Sequence, residues 1–399
     1  MIINNVEGQI NARLYDGGNS VNIDISNTLH FIKEISILHE DLLLNAMDFL
    51  NVSSNVKDGK VRFINFNMGG NITKARPDNC AWLPNGTIGT NSSTIELCPA
   101  NVQIEHCHDT IECWRELFGQ GNDVANPTAT PFGQMMYNQL LELVFKAIGN
   151  DFYKISWFGR NQLMLNASEQ TLGQTSPKEF NDLKNTLETC GGWTSMIDYY
   201  QSQGIKNFAC NALNTDNVVG GKFQGDIIEV FKKMVECASP AFKGTMKKLR
   251  GGQRACMLVT SNLFDAYKEY LLTRYNNIPD AFYFAMSGEF CSKIGCAGAL
   301  KMDGALLWDG IWIKCMDSWD VVAAEMAINH TRAILTIPKN LALGVDVTDG
   351  AAGNGLGFSL YQNTEDPKLR NKLSGETNYR LGTGIVWKDF IVNSSVISI

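Results

Sequence analysis

Between residues 51 and 107 the chain carries hairpin signals without enough apolar residues to give a hairpin its own core. Val61-Arg62-Phe63-Ile64-Asn65-Phe66 alternates with the period of a strand and runs into Gly69-Gly70. Pro84-Asn85-Gly86 and the β-rich Thr94-Ile95-Glu96-Leu97 follow. A two-stranded hairpin is marginal in water by itself. Such a protruding element with polar tips needs a partner surface to become ordered.

The rest of the chain can supply a body. At 399 residues it has the length of about two to three domain-sized units. A chain of this size buries roughly three-quarters of its unfolded surface and needs no metal or disulfide to hold a core. A hydrophobic share of 44% with 19% charged residues excludes overall disorder. No apolar run approaches the ~18 residues that span a bilayer, so a membrane partner is not expected. Met1-Ile2-Ile3-Asn4-Asn5 lacks the basic start and apolar stretch of a secretory signal.

The formal charge is -7. Sequence-general nucleic-acid binders draw their affinity from neutralising phosphates and are normally basic, so tight DNA binding is not expected. Eleven cysteines, an odd number at scattered spacing in a long chain, do not form the even framework of a small secreted domain. All eleven are expected to be reduced, most of them filling core, in a cytosolic setting.

Residues 1–27 are polar and read as an extended arm; an amphipathic helix then runs from Leu29 to Leu50. A long helix over 130–157 starts at Thr130-Pro131, keeps its apolar period through Ile155 and spans ~39 Å at 1.5 Å per residue. It ends in Trp157-Phe158-Gly159. Residues 160–220 are mixed, and Phe223 to Cys237 is helical and stops near Pro240. Ala255 to Thr260 reads as an apolar strand followed by a helix capped by Ser261. The clearest hairpin is Ala305–Trp308 with Ile311–Lys314 around Asp309-Gly310. Ala333 to Ile337 is a buried strand stopped by Pro338, and Tyr379 to Ile397 supplies closing strands. Interspersed short helices and strands make an α+β class.

Catalytic motifs are missing. No G-x-S-x-G elbow and no phosphate-binding G-x-x-x-x-G-K-[ST] loop occurs. The glycines at 353, 355 and 357 have the wrong spacing for a dinucleotide loop and no helix after them. His106-Cys107-His108 with Cys98 and Cys113 is the most metal-like patch, but its spacings of nine and six residues do not form paired zinc ligands. No catalytic residue, cofactor or metal is expected. From Lys232 to Arg254 there are seven basic residues against one acid, a local reversal of the chain's sign. This stretch either meets acidic surface or phosphate, or is a solvated helix end.

Several segments in order resemble the major capsid proteins of tailed bacteriophages, the Hong Kong 97-like fold. They are Trp157-Phe158-Gly159, Met257-Leu258-Val259-Thr260-Ser261, the hairpin Trp308-Asp309-Gly310-Ile311-Trp312-Ile313, and His330-Thr331-Arg332-Ala333-Ile334-Leu335-Thr336 with Asn340-Leu341 and Gly344-Val345-Asp346. The resemblance implies an N-terminal arm and helix (1–50) and an extended loop (51–107). It further implies a peripheral domain (108–255) with its spine helix at 130–157, an axial domain (256–375), and returning strands (376–399). The implied role is structural: self-assembly into the hexamers and pentamers of an icosahedral head that encloses double-stranded DNA without binding it tightly. Portal, scaffold or decoration proteins would be partners, the virion the location, and the host cytoplasm the place of assembly. The expected contacts between copies are Lys74, Arg76 and Trp82 on the loop and Lys247, Lys248 and Arg250 in the basic stretch. Two alternatives stand beside this reading: a cytosolic enzyme with a glycine-rich loop site, and an encapsulin-like compartment shell.

Overall fold

The computed structural model describes residues 20–25, 49–54, 59–69, 87–107, 147–219, 221–249, 254–275, 305–346, 356–362 and 372–398. A five-stranded sheet forms around β8 (Cys256–Val259) and β11 (Asn329–Thr336). With β9 (Ala305–Trp308), β10 (Ile311–Cys315) and β15 (Ile391–Ser398) its order is β15-β11-β8-β10-β9. β8 and β10 run parallel and the other pairs antiparallel. The β9–β10 turn places Asp309 at φ 45° and Gly310 at φ 80°, the two left-handed residues of a type I′ turn, and pairs Trp308 with Ile311 as the Asp-Gly signal requires.

This sheet is covered on both faces. Cys256, Leu258 and Ile334 belong to one core; their neighbours Met257, Val259, Ala333 and Leu335 belong to another. Continuous apolar strands follow directly from that double burial. The first core is shared with helices α1 (residues 147–158) and α8 (Asp317–Glu325). The second is covered by α5 (Ile227–Cys237), α6 (Pro240–Lys248) and α7 (Ser261–Tyr275).

The stretch that looked mixed is largely helical: α2 (Gln162–Thr175), α3 (Pro177–Glu188) and α4 (Trp193–Ser202). Local caps start them, since Asn161 Oδ1 accepts from the Met164 N–H and Pro177 sits at the start of α3. α2 buries only Met164, Leu165 and Ser168, which explains its weak apolar period. Pro240 opens α6, with the Ser239 hydroxyl accepting from the Phe242 N–H at 3.1 Å.

A second, six-stranded sheet is built from distant pieces. The long strand β14 (Lys372–Ile385) pairs along one side with β5 (Cys98–Cys107). Along its other side it pairs with β13 (Leu356–Gln362) and then β12 (Leu341–Asp346). β1 (Ser20–Ile25) adds to β13, and β2 (Asn51–Ser54) adds in parallel to β12. Ser54, Val345, Leu381 and Cys98 thus lie in one row across four strands. A separate ribbon pairs β3 (Lys60–Gly69) with β4 (Thr87–Glu96) from Lys60↔Glu96 to Gly69↔Thr87. A short ribbon joins β6 (Val218–Val219) and β7 (Lys222–Phe223).

The two large sheets share a core. Leu341, Leu343, Val345, Leu381 and Ile385 pack with Cys256, Leu258 and Ile334 and with three tryptophans. Trp157 meets Trp193 at 4.6 Å and Trp319 at 4.9 Å between ring centroids, both edge-on.

The expectation that every cysteine is reduced is corrected. Cys98 is bonded to Cys190, and Cys210 to Cys237, with Cα atoms 5.6 and 5.9 Å apart. The partners are 92 and 27 residues apart in sequence, so the fold brings them together and spacing along the chain carried no trace of it. Cys256 and Cys315 are buried and take no part in a disulfide among the described residues. Burial pushes the Cys256 thiol far above its ordinary range. Among the described residues no helix is long and apolar enough to cross a membrane.

Candidate assembly site

The β3–β4 ribbon pairs with no other strand among the described residues, and its root rests on the six-stranded sheet. The Leu97 N–H donates to the Gly59 carbonyl at 2.8 Å and closes the base. Lys60 and Glu96 pair at 2.7 Å on the exposed side, and the lysine holds the Glu96 carboxyl below its usual range. Ile95 is buried against Ala342 and Val386, so the root does find an apolar surface, on the body.

Glycines make that approach possible. A Cβ on Gly384 would lie 2.5 Å from the Ile95 side chain, one on Gly382 would lie 2.6 Å from the Glu96 carbonyl, and one on Gly344 would lie 2.7 Å from Leu97. Gly344 and Gly382 are direct partners in the β12–β14 ladder. The sheet therefore presents bare backbone where the ribbon enters and leaves. Alternating glycines in Leu381-Gly382-Thr383-Gly384 are a sequence sign of such close approach.

Three of the segments that carry the family resemblance, 157–159, 257–261 and 330–336, meet at one buried ion pair. Arg332 on β11 is fully buried, and its Nη2 donates to both carboxylate oxygens of Asp198 on α4, at 3.0 and 2.9 Å. Asn161 donates to the same carboxylate and to the Thr194 hydroxyl, each at 2.9 Å. The Thr194 hydroxyl donates to the Trp157 carbonyl at 2.6 Å, tying the network to the end of α1. There Gly159 approaches so closely that a Cβ would sit 2.1 Å from the Cys190 carbonyl oxygen. Arg332 Nε donates to His330 Nε2 at 3.0 Å, so this histidine must be neutral to accept. Burial, and secondarily the adjacent Arg332 charge, hold it well below its ordinary pKa.

Asn340 has a comparable task at the crossing from β14 to β15. Its Nδ2 donates to the Thr336 hydroxyl and the Phe390 carbonyl, each at 3.0 Å, and its Oδ1 accepts from the Trp387 N–H at 2.7 Å. Each motif residue is thus explained by architecture: Arg332 joins β11 to the helices, Asn340 pins the sheet crossing, and Gly344 admits the ribbon root. Asp198, Asn161 and Thr194 had no mark in the sequence, because their role exists only once α4 stands beside α1.

Of the residues expected at contacts between copies, Lys74, Arg76, Trp82 and Arg250 lie outside the described residues. Lys247 and Lys248 are exposed in the last turn of α6, where cations complement the helix C-terminus. Two other cations of that stretch act locally: Lys233 pairs with Glu229 at 2.7 Å, and Lys243 donates to the Glu236 carbonyl at 2.8 Å. The side chains of His106 and Cys107 are likewise outside the described set. Among the described residues no group of three or more His, Cys, Asp or Glu is placed to hold a metal ion.

No family model matches the chain. No curated protein matches it. Solved structures do. The chain is similar to one from the procapsid of satellite phage P4 with its size determination (Sid) protein, at 11% identity and a TM-score of 0.46, over 92% of this chain and 98% of that one. It is similar to the capsid of Ralstonia phage GP4 at 8% identity and a TM-score of 0.45, over 88% of this chain and 87% of that one. It is similar to the capsid of Myoviridae phage XM1 at 8% identity and a TM-score of 0.43, over 88% of this chain and 90% of that one.

Proposed function

We propose that this chain is a structural major capsid protein with the Hong Kong 97-like fold, which self-assembles into the hexamers and pentamers of an icosahedral phage head around double-stranded DNA. The observation that carries the reading is the β3–β4 ribbon. It is a ten-residue-long ladder that pairs with no other strand among the described residues, seated on a glycine-lined sheet. A ribbon of that kind gains order by lying on a second body, and in a closed shell every copy has a neighbour. The ordered motifs support the same reading, because the one that contains Ala342 and Gly344 builds the sheet surface that carries the ribbon.

In this reading residues 1–50 form the arm and 51–107 the extended loop. The peripheral domain takes 108–255 and the closing strands 376–399, and the axial domain takes 256–375. Lys247, Lys248 and Arg250 meet acidic surface on a neighbour, as Arg76 and Trp82 on the loop meet another. The net charge of -7 keeps the wall from holding DNA tightly, consistent with a genome that enters and leaves. The protein then has no catalytic role, is located in the virion, and assembles in the host cytoplasm with portal, scaffold or decoration proteins.

Electron microscopy of the full chain, expressed alone and with its neighbouring genes, tests this. Closed particles of tens of nanometres are expected, and replacing residues 60–95 by a short Gly/Ser linker is expected to leave a folded but unassembled protein. A small soluble oligomer at high concentration, or normal shells from the deletion, refutes the reading. Shells filled with protein cargo in place of DNA identify the encapsulin-like alternative.

A further inference from the structure

The two disulfides are built unlike Cys256 and Cys315, the other cysteines whose side chains are described. In each bonded pair one partner is buried, Cys190 or Cys210, and the other, Cys98 or Cys237, is partly buried at the edge of a core. Each pair therefore has one residue nearer to solvent than its partner. Cys256 and Cys315 are buried, and nothing in solution reaches Cys256 at all.

The reduced forms are also provided for. The Cys190 sulfur lies 3.1 Å from the Leu381 carbonyl oxygen, and the Cys210 sulfur lies 3.6 Å from the Lys233 carbonyl oxygen. A disulfide sulfur has no hydrogen to donate, so these carbonyls serve as partners only for the thiols. Each pair further bridges elements that other bonds already hold. Cys98 stands in the β5–β14 ladder opposite Leu381, while the chain beside Cys190 is fixed by the Gly192 N–H donating to Gly159 at 2.7 Å. The Cys210 N–H donates to the Asn393 carbonyl at 3.2 Å, and Cys237 closes α5. The buried sulfur of each pair thus has an acceptor within reach when the pair is reduced.

We propose that Cys98–Cys190 and Cys210–Cys237 are reversible oxidative-modification sites, open in a thiol-buffered compartment and closed by exchange with a small disulfide outside it. In closing, the thiolate of the partly buried cysteine attacks the small disulfide and releases one small thiol. The buried cysteine, deprotonated, then attacks the mixed disulfide and releases the second. Two protein thiols are oxidised and one small disulfide is reduced to two thiols, so electrons and protons balance. Closing Cys98–Cys190 fastens the exit of the ribbon to the turn that holds the end of α1. This inference does not rest on the shell reading.

The test uses the full-length protein equilibrated in glutathione buffers of graded redox ratio, trapped with N-ethylmaleimide and mapped by peptide mass spectrometry. After reduction Cys98 and Cys237 are expected to alkylate without unfolding, and the buried Cys190, Cys210, Cys256 and Cys315 only on denaturation. Cys98 with Cys190, and Cys210 with Cys237, are expected to lose reactivity pair by pair as oxidised glutathione rises, while Cys256 and Cys315 do not change. The oxidised protein is expected to melt several degrees above the reduced one, since both staples restrict the unfolded chain. In a C98S/C190S variant, whose serine can still donate to Leu381, redox dependence of that staple is expected to vanish while the reduced-state circular dichroism is retained. Pairs that never close at any glutathione ratio overturn the proposal, as do pairs that glutathione cannot open, or a reduced protein that has lost its fold.

Discussion

The five-stranded sheet and the ribbon root are both β structures against a buried surface, but they are secured in opposite ways. The sheet is held by volume: β8 and the Ala333–Leu335 run of β11 are apolar on both faces, and the Arg332–Asp198 pair is sealed between the sheet and the helices. The root is held by absence: Gly344, Gly382 and Gly384 leave room for a backbone to lie down, with Ile95 as its main apolar contact. Where side chains fill space, a fault costs a cavity or a stranded charge. Where their absence makes space, a fault costs displacement of a whole element.

The largest expected effect lies in the sheet. Arg332→Met strands the Asp198 carboxylate in the core and is expected to cost about 3–5 kcal/mol, read by chemical denaturation. Asp198→Leu combined with Arg332→Met is expected to recover most of that loss, since removing both charges removes the desolvation penalty. A double variant as unstable as the single one would show that the hydrogen bonds to Asn161, and not the charge, hold this junction.

Acidification probes the same region with a smaller loss. His330 is neutral in the fold, and burial holds its pKa well below the ordinary 6.5 of a histidine. A base with a depressed folded pKa contributes stability that is present above about 6.5 and is lost as pH falls through the folded value. Thermal melting followed from neutral pH downward is expected to show the decline, and His330→Gln to flatten it. The half-buried carboxyls of Asp151 and Asp320, pushed up mainly by burial, act with the opposite sign and soften the decline without reversing it.

In the root, Gly382→Val places atoms where the Glu96 carbonyl lies and is expected to cost about 1–3 kcal/mol. The informative readout is limited proteolysis: cuts between residues 59 and 97 should appear before any in β8 or β11. The smallest effect belongs to Lys60→Ala. Its partner Glu96 is exposed, and no measurable change in melting temperature is expected, with or without salt.

What the sequence disclosed divides along the same line. β8, the β9–β10 hairpin with its Asp-Gly turn, and the apolar run of β11 were legible because their signals are local and their burial is two-sided. The ribbon was legible from alternation and its turn residues. The six-stranded sheet was not, because β1, β2, β5 and β12–β14 come from distant parts of the chain and its pairing is a property of the assembled fold. α2 escaped because it buries little. The disulfides escaped for the same reason as Asp198: both depend on neighbours that only tertiary structure supplies.

The row Ser54, Val345, Leu381 and Cys98 has a mechanical meaning. The chain leaves that row at Ser54 and rejoins it at Cys98, three strand spacings or ~14 Å away, yet the ribbon's two strands meet at one closed base, where the Leu97 N–H donates to the Gly59 carbonyl. A load on the ribbon is therefore delivered to the body through a single pinned joint, and it enters the sheet at Gly344 and Gly382, the paired positions that lie against Leu97.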